Sequence, residues 1–216
     1  MPTTNEPYTT YDHGWIVRVR RPSVTTDPRV LLLLHGWTGD ETVMWIFTHN
    51  LPENYWILAP RGPVQASEKG YGWLPDQDKR PDLDDFNDVT RSFMQVMQRW
   101  VQDFHLPTQP FSVMGFSQGA AMAYALTASY PRQVDRLIAL AGFLPRDRTM
   151  PGRYAALKGK KVFIAHGSKD ETVPVTLARE TVQTLQAIGA DVTYCESDVG
   201  HKLSAGCLRG LRDFMQ

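Results

Sequence analysis

Ser117 stands in the run Gly115-Phe116-Ser117-Gln118-Gly119, a Gly-x-Ser-x-Gly pattern. A serine hydroxyl attacks a carbonyl only when a base takes its proton and the resulting oxyanion is stabilised. The five-residue pattern alone is common, so its context decides. It directly follows the apolar run Phe111–Met114 and directly precedes the Ala-rich stretch Gly119–Tyr130. A strand feeding a helix through so tight a turn exposes the hydroxyl, and the flanking glycines remove side chains that would clash. The helix N-terminus at that point favours negative charge. A merely structural glycine-rich turn is the competing reading.

In this arrangement the acid and the base follow the serine, in the order Ser, Asp or Glu, His. The histidines after Ser117 are His166 and His201. His201 lies in Val199-Gly200-His201, a loop just past the run Val192–Cys195, and is the preferred base. His166 ends the run Val162–Ala165 and is read as a turn brace. For the acid, Asp170 in His166-Gly-Ser-Lys-Asp170-Glu-Thr-Val-Pro174 is preferred over Glu171 and over Asp147, which sits between Arg146 and Arg148. Such a base works only when neutral, so activity is expected to fall at acid pH. An oxyanion needs two fixed donors. The backbone N–H groups of Gln118 and of Trp37, in His35-Gly36-Trp37-Thr38-Gly39-Asp40, are the candidates. No phosphate-binding glycine pattern is present.

Strands and helices must position these groups. Val30–Leu34, Trp56–Ala59, Phe111–Met114, Leu137–Ala141 and Val162–Ala165 are short apolar runs that read as buried strands. Val192–Cys195 is less apolar and is expected nearer an edge. His13–Arg20 alternates and reads as a leading strand with one wetter face. Helical spacing marks Asp88–Phe104, the Ala-rich stretch after Ser117, the segment Ala178–Ile188 with Gly189 as its cap, and Leu208–Phe214. Strands alternating with helices imply a mostly parallel sheet covered on both faces. No linker or repeat divides residues 1–216, so one domain is expected. Residues 61–87 form a long loop bordering the site, polar but carrying Tyr71 and Trp73.

Composition narrows the remainder. Lys and Arg number 23 and Asp and Glu 23, so the formal charge is zero, which speaks against nucleic acid as a partner. No apolar run is long enough to span a membrane, and the polar start shows no leader, so a cytoplasmic location is expected. Cys195 and Cys207 lack zinc-ligand spacing and are read as core or partly buried free thiols. Neither a metal nor a cofactor is expected, and the oligomeric expectation is a monomer or homodimer.

The chain resembles the phospholipase/carboxylesterase branch of the α/β-hydrolases, which includes enzymes like acyl-protein thioesterases. The matching segments are Leu34-His-Gly-Trp-Thr-Gly-Asp40, Ala59-Pro-Arg-Gly62, Gly115-Phe-Ser-Gln-Gly119, Ala141-Gly-Phe-Leu-Pro145, His166-Gly-Ser-Lys-Asp170 with Val173-Pro174, and Gly200-His201. The resemblance implies an α/β-hydrolase fold without a separate cap domain, a triad of Ser117, Asp170 and His201, and an oxyanion hole at Trp37 and Gln118. Many members carry an aliphatic residue where this chain has Trp37, and no strand is expected before His13. The expected pocket wall is Trp45, Tyr71, Trp73, Phe143, Leu144, Val173 and Leu203, with Trp45 and Leu203 equally readable as core. An apolar aromatic cleft suits a short- to medium-chain acyl or aryl ester. The remaining alternatives are a thioesterase or lysophospholipase of the same branch, or a non-catalytic relative that binds a small apolar ligand.

Overall fold

In the computed structural model, the described residues are 6–49, 51–75, 79–148, 150 and 152–216. Two antiparallel strands come first, β1 (Tyr8–Asp12) and β2 (Trp15–Arg20), joined by His13-Gly14 with φ of 47° and 85°. Positive φ at both turn residues matches the twist of a two-residue hairpin. β1 corrects the expectation of no strand before His13. Its residues alternate between half-buried and exposed at the sheet's edge, so Tyr-Thr-Thr-Tyr-Asp carries almost no apolar signal.

The chain continues through β3 (Arg29–Leu34), β4 (Tyr55–Pro60), a small hairpin of β5 (Val64–Gln65) and β6 (Tyr71–Gly72), and helix α1 (Asn87–Asp103). Next come β7 (Phe111–Phe116), α2 (Gln118–Ser129), β8 (Val134–Leu140), β9 (Lys161–Gly167), α3 (Val175–Ala187), β10 (Asp191–Ser197) and α4 (Ala205–Met215). Eight strands form one sheet in the order β1-β2-β4-β3-β7-β8-β9-β10. β2 pairs antiparallel with β1 and β4, and every later neighbour is parallel. β10 takes the far edge, as its weaker apolarity implies.

Side chains along a strand point alternately to the two faces. Leu32 and Leu34 therefore join one core with α1, α2 and α3, while Leu31 and Leu33 join the other with α4 and Met44. α2 is buried from Gly119 to Thr127, which is why that segment needs alanines that let it approach the sheet closely. The long loop after β4 holds the β5–β6 hairpin and a 3-10 turn at Leu83–Phe86, and its residues 76–78 lie outside the described ones. No helix among the described residues is long and apolar enough to cross a membrane.

The cysteines correct the expectation of free thiols. α4 folds back beside β9 and β10, and Cys207 forms a disulfide with Cys195 at a Cα separation of 5.6 Å. Spacing along the sequence cannot reveal this, because the pairing depends on where α4 docks. The cross-link spans 12 residues and encloses the loop that carries His201. Loop-closure entropy for a ring of that size is about 3 kcal/mol. Changing both cysteines to serine should lower the melting temperature by roughly 6–12 °C, read by thermal denaturation under oxidising conditions. Added reductant should shift the wild type and leave the double variant unmoved.

Candidate active site

Ser117 sits at φ 54° and ψ −118°, between the end of β7 and the start of α2. Only a turn this sharp carries a parallel strand directly into a helix lying back across the sheet. A methyl group at Gly115 would strike the Gly119 carbonyl, and one at Gly119 the Leu34 carbonyl, so both positions need glycine. The Ser117 N–H donates to the Leu140 carbonyl at 2.9 Å, pinning the turn to β8. Backbone strain of this kind costs about 1–3 kcal/mol and persists only where the surroundings enforce it.

Asp170 follows β9, and its side chain is fully buried. One carboxylate oxygen accepts the N–H groups of Thr172 and Val173, both at 2.9 Å. The other lies 2.7 Å from His201 Nδ1. An Nδ1–H held this way leaves Nε2 as the basic nitrogen. The His201 ring lies 4.9 Å from that of Phe116, the residue before Ser117, so His201 and the Ser117 turn lie at the same edge of the sheet. The competitors stand differently. His166 Nε2 pairs with the Val173 carbonyl at 2.8 Å, lies 3.4 Å from Asp170 Oδ2 and braces the Asp170 loop. Asp147 binds Arg153 through both oxygens, and Glu171 is exposed.

The third element is the turn Gly36–Gly39, closed by Gly39 N–H on the Gly36 carbonyl at 3.0 Å. His35 secures it from below: one ring nitrogen meets the Gly36 carbonyl at 2.8 Å, and the other accepts the Gly62 N–H at 2.8 Å. Arg61 adds a bidentate ion pair with buried Glu41, at 2.7 and 2.9 Å. The Gln118 side chain is also committed to structure, accepting the Trp73 N–H at 2.7 Å and donating to the Leu74 carbonyl at 3.3 Å. What Gln118 can offer a substrate is its main-chain N–H in the first turn of α2.

His35 gives the molecule an acid-sensitive joint. Burial holds it below the ordinary histidine value, against the Gly36 carbonyl, Asp40 and Glu41, which favour the charged form. A folded-state value below the unfolded one, near ~6.5, means its stability contribution is full above that pH and lost as pH falls below it. Charging the ring would also break the Gly62 hydrogen bond. His35→Gln should therefore flatten the decline of melting temperature between about pH 7 and 5, measured beside the wild type.

A family model described as Phospholipase/Carboxylesterase matches residues 17–216. The chain belongs to the phospholipase/carboxylesterase family. Among its relatives, Acyl-protein thioesterase 1 of Debaryomyces hansenii is 26% identical over 192 residues, 78% of this chain and 82% of that protein. Esterase YpfH of Escherichia coli is 24% identical, covering 89% of this chain and 82% of that protein. The crystal structure of the Bacillus cereus carboxylesterase matches at a TM-score of 0.82 and 22% identity, over 94% of both chains. At that identity the likeness speaks for the fold, the α/β-hydrolase fold.

Two cavities open beside the Ser117 turn. One, of about 360 Å³, includes Ser117, Gln118, Trp37, Phe143 and Val173 in its wall. The other, of about 530 Å³, includes His201, Trp37, Phe116 and Leu203. Of the residues expected in the pocket wall, Phe143, Val173 and Leu203 line these cavities. The remaining expected wall residues line neither cavity. Trp45 turns away, its indole N–H on the Glu41 carbonyl and its ring under Arg18. Trp73 is buried and donates to the His35 carbonyl at 2.7 Å, so it supports the Gly36–Gly39 turn. Tyr71 stacks under Arg61, and Leu144 is buried with its carbonyl accepting from Arg80 at 2.6 Å. Lys79, Arg80, Val43, Ile46 and Leu208 line the cavities and were not expected there. Nothing in their local sequence distinguishes them from surface residues.

Among the described residues, Asp12, His13 and Asp103 have potential metal-ligand atoms within 4.8 Å of one another. They lie at the β1–β2 turn and the end of α1, and Arg99 stands 3.5 Å from His13. This is a surface ion-pair cluster that shares no lining residue with the two cavities beside Ser117 and His201.

Proposed function

We propose that this family member is a serine hydrolase that cleaves carboxylic esters of short to medium acyl chains, or aryl esters, through an acyl-enzyme. The observation that carries this is the 2.7 Å contact between buried Asp170 and His201 Nδ1, next to a serine held on a strained turn. In this reading His201 Nε2 takes the Ser117 proton as Oγ attacks the carbonyl. The tetrahedral oxyanion is met by the N–H groups of Trp37 and Gln118. Collapse breaks the bond to the alcohol oxygen, which leaves with the proton from His201. Water then attacks the acyl-enzyme, with His201 as base again, and frees Ser117. No step needs a metal or cofactor, and residues 1–216 act as one domain.

The relatives named acyl-protein thioesterase favour a second reading, in which the leaving atom is sulfur. Matched oxygen esters and thioesters over a range of acyl lengths separate the two. Oxygen esters of butyrate and hexanoate should turn over fastest. Preference for thioesters would favour the second reading, and a faster rate on long acyl chains would overturn the chain-length proposal. A fluorophosphonate should modify Ser117. A chain that gains no adduct is a binding protein instead. The expectation of a cytoplasmic location sits against Cys195–Cys207, since such a bond endures best in an oxidising compartment.

A further inference from the structure

Trp37 belongs to the wall of both cavities, which divides the cleft into two unlike arms. We infer that the arm beside His201 receives the leaving alcohol or thiol, and that the enzyme selects esters whose apolar bulk lies in that half. This deepens the hydrolase reading above and rests on it.

The chemistry assigns the arms. As the ester bond to the alcohol oxygen breaks, that oxygen must collect the Ser117 proton from His201 Nε2. The group attached to it therefore lies against the imidazole. His201 is in the wall of the larger arm, whereas Ser117 and Gln118 are in the wall of the smaller. The arms differ in where apolar side chains stand exposed. The larger arm carries Lys202, and with it Val43, Ile46 and Leu208 beside the stacked pair Phe47–Phe116, whose centroids are 6.3 Å apart. The smaller carries Lys79 and Arg80 among its apolar residues. Ile46 is 68% exposed and Val43 44%. Apolar side chains exposed together at the mouth of a cleft mark a surface that gains from being covered. An alkyl or aryl alcohol covers it. Trp37, standing between the arms, is the residue that sets this selectivity.

Hexyl acetate and ethyl hexanoate test the assignment, because they are isomers with the long chain on opposite sides of the ester. Each added methylene in an apolar site is worth roughly tenfold or more in kcat/KM. After correction for their rates with hydroxide, hexyl acetate should exceed ethyl hexanoate at least tenfold in kcat/KM. Ile46→Asp, at an exposed position that should tolerate it, should cut that ratio at least fivefold. Trp37→Ala should bring the ratio towards one. A ratio at or below one in the wild type overturns the assignment, as does a loss from Ile46→Asp that falls on ethyl hexanoate. A fluorophosphonate adduct on Ser117 shows whether the catalytic site itself works. Without an adduct or any turnover the hydrolase reading fails. With an adduct, hydrolysis of neither ester, or no excess of hexyl acetate, counts against the leaving-group assignment alone.

Discussion

Replacing Ser117 with alanine is expected to lower kcat on any ester substrate by on the order of 10⁴-fold or more, with KM little changed. The variant keeps the proposed oxyanion donors and both cavities, so binding should survive while the proposed covalent step is lost. Ser117→Gly should be equally inactive yet melt higher, because glycine occupies the φ of 54° that strains serine there. The gain should be about 1 kcal/mol, part of the strain being offset by the greater freedom of glycine in the unfolded chain. Ester turnover and thermal midpoints, measured on the same preparations, check both statements. Residual activity above a tenth of wild type in the alanine variant would remove Ser117 from the mechanism.

Asp170→Asn should cost nearly as much, around 10⁴-fold in kcat, and for a geometric reason. One oxygen of Asp170 accepts two N–H groups, from Thr172 and Val173. An asparagine must leave its carbonyl oxygen there, which turns its NH₂ towards His201 Nδ1. That nitrogen then has to accept, so the imidazole proton moves to Nε2, where the base should be. Fold and melting temperature should change little by comparison. Fluorophosphonate labelling of Ser117 should slow in parallel with ester turnover. If kcat fell less than tenfold while labelling was unaffected, the Asp170–His201 pair would be structural.

The sheet was readable because parallel strands buried on both faces appear as apolar runs, such as Val30–Leu34 with its five buried residues. β1 was not, since an edge strand with one poorly covered face has no reason to be apolar. The expectation for Ser117, Asp170 and His201 rests on each standing within four residues of a strand end, where the chemistry proposed for it restricts the residue type. The pocket wall was another matter. Trp45, Trp73 and Leu144 have the right character and neighbourhood, but where such side chains turn is decided by partners distant in sequence: Arg18 for Trp45, His35 for Trp73 and Arg80 for Leu144. Val43 and Ile46 show the reverse, exposed on a short 3-10 turn that no periodicity announces.

The bond between Cys195 and Cys207 makes the end of the molecule a ring with His201 on its circumference. A protease that cuts anywhere between Glu196 and Gly206 would open the ring without releasing α4, which stays tethered to β10 through sulfur. Such a nicked chain would run as one band on a gel until it was reduced, and only then shed its last helix. Damage to the loop that carries His201 would thus be retained as a covalent whole.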